Sequence, residues 1–276
     1  MSDRNKISVA VIDMNNGVIN QGMRGIQEIL TRYREEMDID LHFEVFDLRQ
    51  KGEIPDLDHD IYISSGGPGS PYDGEGQPWE NDFFSLLDKI LAFNALQELN
   101  KKHVFLICHS FQMACRKFGL GQVVKRRSTA FGIFPVFLTE AGEDDVLFSG
   151  LTNPFFTVDS RDWQVTNPED ALFAVADTQV LALEKERPHV DLDRCVMAIR
   201  FTNEIVGTQF HPEADPLGMK RYLLQEDKKA GIIANHGEEK YMDMLNSLED
   251  PARIQLTQRI VLPNFLNRAI NALQEA

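Results

Sequence analysis

Three short segments of the chain carry side chains suited to covalent chemistry: Gly66-Gly67-Pro68-Gly69-Ser70-Pro71, Ile107-Cys108-His109-Ser110-Phe111-Gln112 and Gln209-Phe210-His211-Pro212-Glu213. A thiol becomes a useful nucleophile when a neighbouring base takes its proton and a carboxylate holds that base in the right tautomer. Cys108, His211 and Glu213 supply those three groups. Glu213 lies two residues beyond His211 across Pro212, whose ring restricts the backbone and can hold the two side chains in a fixed relation. A thiolate attacking a carbonyl also creates an oxyanion, which needs backbone N–H donors already aimed at it. Gly67, in a loop whose glycines permit close backbone approach, and the amide of His109, directly after the nucleophile, form the natural pair. Taken alone, Cys108 reads as a small buried hydrophobe and His211-Pro212-Glu213 as a turn. Their order along the chain, together with the glycine loop, favours a catalytic site.

Each of these segments follows a predicted strand. Apolar runs at residues 7–12, 41–46, 60–64 and 104–107 alternate with amphipathic stretches at 25–33 and 83–99, the pattern of βαβ units and a parallel sheet. Residues 65–71 cannot be helical. Cys108 therefore stands at the carboxyl end of a strand, the edge where ligands bind in open α/β sheets. Beyond residue 120 the pattern changes to strand-like pieces at 132–139, 180–183 and 195–201, with a hairpin through Thr202-Asn203-Glu204 leading into 205–210. The remainder reads as helical. Tyr241, Met244, Leu245 and Leu248 recur on one helical face that must be buried somewhere.

The three segments closely resemble the signatures of the class I glutamine amidotransferases, the Cys-His-Glu family that releases ammonia from glutamine, and are similar to the amidotransferase part of GMP synthase. The resemblance runs from about Ile7 to Glu213 and includes Phe131-Gly132-Ile133-Phe134-Pro135-Val136, Leu147-Phe148-Ser149-Gly150-Leu151 and the Ser160 region. It implies an α/β fold with a mixed, largely parallel sheet flanked by helices. Residues 1–215 would form the amidotransferase-like domain, and 216–276 a helical C-terminal extension packed on the same domain. By position, Cys108 would be the nucleophile, His211 the base and Glu213 its orienter, with Gly67 and His109 as the oxyanion hole. Gln112, Ser160 and Arg161 would lie near the bound glutamine.

The chain departs from the family pattern at two places. The family's elbow usually reads Gly-x-Cys-x-Gly, whereas Leu106 and Ser110 stand at the glycine positions; Leu106 in particular predicts a turn of altered shape. The usual Ser-His-x-Asp appears as Ser160-Arg161-Asp162-Trp163. The planar fork of Arg161 suits an α-carboxylate, and a surface salt bridge is its ordinary alternative. The resemblance implies glutamine as substrate, no cofactor on this chain, and a separate synthase partner that activates the ammonia acceptor. Two alternatives remain open on the residues: a γ-glutamyl hydrolase with the same triad, and a non-catalytic regulatory or binding protein that keeps the fold.

Composition removes other classes. Basic residues number 28 against 43 acidic, a net charge of −15, which disfavours nucleic acid and anionic membrane as partners. No apolar run approaches the roughly 20 residues that span a bilayer, and the N-terminus offers no signal-peptide pattern, so a cytoplasmic location is expected. Three cysteines suggest reduced thiols rather than a disulfide framework. Cys115 is expected on the core side of a helix, Lys125-Arg126-Arg127 in a solvated loop, and His59, His103 and His236 at the surface without metal-ligand spacing; no metal site is expected.

Overall fold

The computed structural model describes residues 6–167, 178–187 and 194–275. The amino-terminal half supplies β1 (Lys6–Asp13), α1 (Gln21–Met37), β2 (Asp40–Asp47), α2 (Leu48–Lys51), β3 (Ile61–Ser64), α3 (Pro78–Ala95), β4 (His103–Ile107) and α4 (His109–Phe118). Then follow β5 (Gln122–Leu138), α5 (Glu140–Asp144), β6 (Phe155–Thr166), β7 (Gln179–Glu184), β8 (Val196–Arg200) and β9 (Ile205–Thr208). Four helices close the chain: α6 (Pro216–Leu223), α7 (Glu226–His236), α8 (Glu238–Ser247) and α9 (Ile254–Gln274).

Among the described residues the strands form one sheet in the order β2-β1-β3-β4-β9-β8-β7-β5-β6. The first five are mutually parallel and the last four antiparallel to their neighbours. This is the mixed sheet flanked by helices that the resemblance implies, with parallel pairing confined to its amino-terminal half and β9. Period-2 alternation sorts the strand side chains onto two faces. Val9 and Val11 of β1 join a core with Ile26, Ile29 and Leu30 of α1 and Phe265, Leu266 and Ile270 of α9. Ala10 and Ile12 join the opposite core with Phe83, Leu87 and Ile90 of α3 and Phe111 of α4. The chain's last long helix is thus buried against the sheet beside α1, and truncating Phe265 to Ala would cost about 3–5 kcal/mol.

Several expectations shift. The helix expected at 83–99 starts earlier, with Pro78 in its first turn where its missing N–H costs no bond. It stops at Ala95, because Asn94 hydrogen-bonds both the N–H and the C=O of Lys102 and turns the chain into β4. Lys125-Arg126-Arg127 is not a loop but part of the long β5, where Arg126 bonds Gln164 and Glu184. His103 is not at the surface: it is 5% exposed, and burial pushes its pKa down to about 4, Glu204 opposing and Arg268, Lys101 and Arg200 assisting. Tyr241, Met244 and Leu248 pack with Ile133 of β5 and Val158 of β6, so α8 lies over the β5–β6 ribbon.

Candidate active site

The sheet order brings the three segments together. Strands β3, β4 and β9 are adjacent and parallel, so all three end at the same edge. The glycine loop leaves β3, Cys108 leaves β4, and residues 209–213 leave β9. Two segments about a hundred residues apart become neighbours because β9 pairs directly with β4.

Cys108 occupies the strand-to-helix junction at φ 48° and ψ −96°, a backbone conformation unusual for a residue with a Cβ, and its N–H donates to Thr208 O at 2.7 Å. Such strain costs about 1–3 kcal/mol and persists only where the surroundings impose it. Here the imposing groups are identifiable. The Ser110 hydroxyl accepts from Ile107 N–H and donates to Ser64 O, both at 2.9 Å, tying the elbow to the end of β3. Leu106, expected to distort the turn, is accommodated from the other side: it stands in register with Gly207 of β9, where an added Cβ would lie 3.1 Å from Leu106 Cβ and 2.8 Å from Phe111. The elbow keeps its strained nucleophile position because a glycine faces the leucine. Gly207 carries no signal in the sequence alone, since its value depends on that pairing.

His211 is 18% exposed through its side chain and lies near Cys108, the two flanking Gly66, while its Nδ1 lies 2.8 Å from Glu213 Oε1. Its N–H donates to Val158 O at 3.0 Å, which anchors the ring's backbone to β6. Burial by itself would lower the imidazole pKa, but Glu213 and then Cys108 outweigh it and hold it well above its usual value. Glu213 is 2% exposed, and α1 comes close to it: added Cβ atoms at Gly22 and Gly25 would run into its Oε1 and its carbonyl. The amino end of α1, partially positive, thus faces the carboxylate.

Gly66 lies against the pair, an added Cβ falling 2.8 Å from His211 Cε1 and 3.5 Å from Cys108 Cβ; at Gly67 it would collide with Met14 O. His109 opens α4, so its amide is one of those a helix leaves without an intrahelical acceptor. Its ring is buried with neither nitrogen bonded. Burial, with Arg49 and Arg116 nearby, pushes its pKa to about 3 and keeps it neutral.

Of the residues expected around the substrate, Ser160 is exposed and its carbonyl lies 3.9 Å from Cys108 Sγ. Gln112 is buried, its Nε2 donating to Trp163 O and Gln209 Oε1 at 3.0 Å each, and Gln209 Nε2 in turn donates to Cys108 Sγ at 3.6 Å. Gln209 is a thiol contact that the motif contained without any role being read from it. Arg161 is placed elsewhere. Its side chain is 1% exposed and faces the interior, with Nε 2.9 Å from both Asp159 oxygens and Nη1 2.7 Å from Cys195 Sγ. Burial works against its charge, but Asp159 holds the guanidinium pKa above its usual value. Neither a surface salt bridge nor an α-carboxylate contact fits that position, because the strand turns Arg161 to the face opposite Ser160. Among the described residues no group of three or more His, Cys, Asp or Glu side chains is arranged to hold a metal ion.

The family model for glutamine amidotransferase class-I matches residues 19–229. The chain belongs to the class I glutamine amidotransferase family. A glutamine amidotransferase from Thermotoga maritima superposes with a TM-score of 0.69 at 19% identity, covering 96% of this chain and 98% of its own. A protein from Thermoplasma acidophilum described as a putative GMP synthase component gives 0.54 at 16%, covering 98% of both. The glutaminase domain of CTPS from Trypanosoma brucei, solved with acivicin, gives 0.59 at 13%, covering 96% and 94%. At these identities the likeness establishes the amidotransferase fold. No curated protein matches in sequence. The family match runs through α6 into α7, and among the described residues no helix is long and apolar enough to cross a membrane.

Proposed function

We propose that this amidotransferase-family chain hydrolyses the side-chain amide of glutamine through a γ-glutamyl thioester on Cys108 and passes the ammonia to an acceptor activated by a separate synthase. In this reading the Cys108 thiol gives its proton to His211 as Sγ attacks the amide carbon, and the N–H groups of Gly67 and His109 receive the charge that develops on oxygen. His211 gives its proton to the departing nitrogen, ammonia leaves, and the ring then takes a proton from the water that cleaves the thioester. Glu213 fixes the ring orientation through both steps. Gln112 acts through Gln209 on the thiol, and the exposed Ser160 borders the substrate. The observation that carries the reading is the 2.8 Å His211–Glu213 pair with Cys108 near it across Gly66, on an elbow whose strain the fold maintains. Residues 216–276 belong in this proposal to the same folding unit as 1–215, supported by the burial of α9. The free thiols of Cys108, Cys115 and Cys195 support a reducing, cytoplasmic setting.

The test is ammonia and glutamate production from glutamine by the purified chain, alone and with candidate synthases, together with labelling by a glutamine-like electrophile. Production abolished in Cys108→Ala and a label confined to Cys108 are expected. Undiminished ammonia release from Cys108→Ala, or a label at Cys115 or Cys195 with Cys108 untouched, would overturn the assignment. Full turnover that no synthase alters would favour a γ-glutamyl hydrolase.

A further inference from the structure

The loop that carries Gly67 cannot hold its own shape. Gly66, Gly67 and Gly69 give it wide conformational freedom. Its internal ties lie mainly beyond Gly69: Ser70 N–H donates to Asp73 Oδ2 at 2.8 Å and Asp73 N–H to Ser70 O at 3.1 Å. On the β3 side the Ser65 hydroxyl accepts from Met14 N–H at 2.9 Å and donates to Gly66 O at 2.8 Å. The stretch from Gly67 to Pro71 is gripped from outside by two cations. Arg49 Nη1, reaching from α2, donates to Pro68 O at 2.7 Å and to Met14 O at 3.1 Å, stitching the loop to the end of β1; its guanidinium lies 5.0 Å over the Trp79 ring. Arg116, from the helix that Cys108 begins, donates through Nη1 to Pro71 O and pairs through Nη2 with Glu80, while lying over Tyr72 and Phe84 at 5.0 and 5.3 Å.

We infer that Arg49 and Arg116 are positioning residues for the reaction, clamping the Gly67–Pro71 stretch so that the Gly67 N–H keeps the position its oxyanion role requires. The inference rests on the glutaminase reading above and deepens it. An oxyanion donor contributes about 10²- to 10³-fold to turnover, and a displacement of about 1 Å is enough to lose much of that. Arg49 is the more direct of the two, because it holds the carbonyl of the residue immediately after Gly67.

The test compares Arg49→Ala, Arg49→Lys and Arg116→Ala with the parent in two reactions of the same thiol. Hydrolysis of glutamine passes through an oxyanion. Alkylation of Cys108 by iodoacetamide does not: sulfur displaces iodide directly, the thiol proton going to the base. We expect kcat for glutamine to fall about 10- to 100-fold in Arg49→Ala with KM changed less than about threefold. Its alkylation rate at Cys108 stays within about twofold of the parent, and Arg49→Lys, which retains a charged donor, recovers part of the loss. A smaller fall of the same kind is expected for Arg116→Ala. Should Arg49→Ala fail to fold, Arg49→Gln, which keeps N–H donors without the charge, is judged by the same two rates. An unchanged kcat would overturn the clamp, and so would hydrolysis and alkylation falling in parallel, the mark of a generally disturbed site. Failure of the underlying reading looks different: the parent itself would not hydrolyse glutamine, or Cys108→Ala would retain the activity.

Discussion

Replacing Glu213 by Gln keeps the shape of the side chain and removes its charge from a position only 2% exposed, where water cannot substitute for it. The contact at stake is the 2.8 Å bond between Oε1 and His211 Nδ1. A hydrogen bond between charged groups is worth about 1.5–3 kcal/mol, or about 10- to 150-fold in rate at 1.36 kcal/mol per tenfold. An amide can also donate to Nδ1 and so hold the ring in the wrong tautomer, which places the expected loss of kcat at about 10²-fold or more. The pH dependence supplies a second readout. Glu213 is the larger of the two influences that raise the His211 pKa against its burial, so in Glu213→Gln the ring should titrate at lower pH. Steady-state glutamine hydrolysis across pH, with thermal melting to confirm folding, measures both. Turnover within a factor of two of the parent would remove Glu213 from the mechanism, and an unmoved His211 titration would refute the electrostatic reasoning even if activity fell.

Gly207→Ala should destabilise the protein by about 1–3 kcal/mol, because its new methyl meets Leu106 and Phe111. Combining it with Leu106→Gly, which removes the Cβ that the new methyl meets, should cost less than the sum of the two single changes, so strict additivity in denaturant midpoints would show that the two positions do not compensate each other. His103 couples stability to acid: its folded pKa of about 4 lies below the unfolded value near 6.5, so between those values the unfolded chain binds more protons. Its contribution is complete above about pH 6.5 and lost as pH falls toward 4, by about 3 kcal/mol at most. His103→Gln should flatten the stability profile over that window relative to the parent, and parallel profiles would refute the assignment.

Much of the parallel half was legible because its signals are local. Short apolar runs ending in glycine, cysteine or histidine segments need no distant partner to be read as strands that end at chemistry, and the motif order was enough to name the family. The long β5 and β6 were less legible: their alternation is broken by a register shift between Lys125 and Ala130, so 132–139 alone read as strand and the basic triplet as loop. The nucleophile, the base and its orienter could be chosen by residue type and spacing, since their chemistry belongs to the side chains themselves. Partners across the sheet could not. Whether Leu106 would spoil the elbow depended on β9 lying beside β4 with Gly207 in register. Which way Arg161 pointed depended on the face that β6 turns to Asp159 and Cys195. Arg49 and Arg116 gave no sign in the linear chain of gripping the glycine loop, because a carbonyl acceptor exists at every residue and only the packed structure selects which one a guanidinium reaches. The sequence by itself determined the chemical groups and the strands that carry them; the tertiary structure alone decided their neighbours, because the hydrogen bonds and close contacts that orient a side chain act over a few ångströms between residues that can be far apart in the chain.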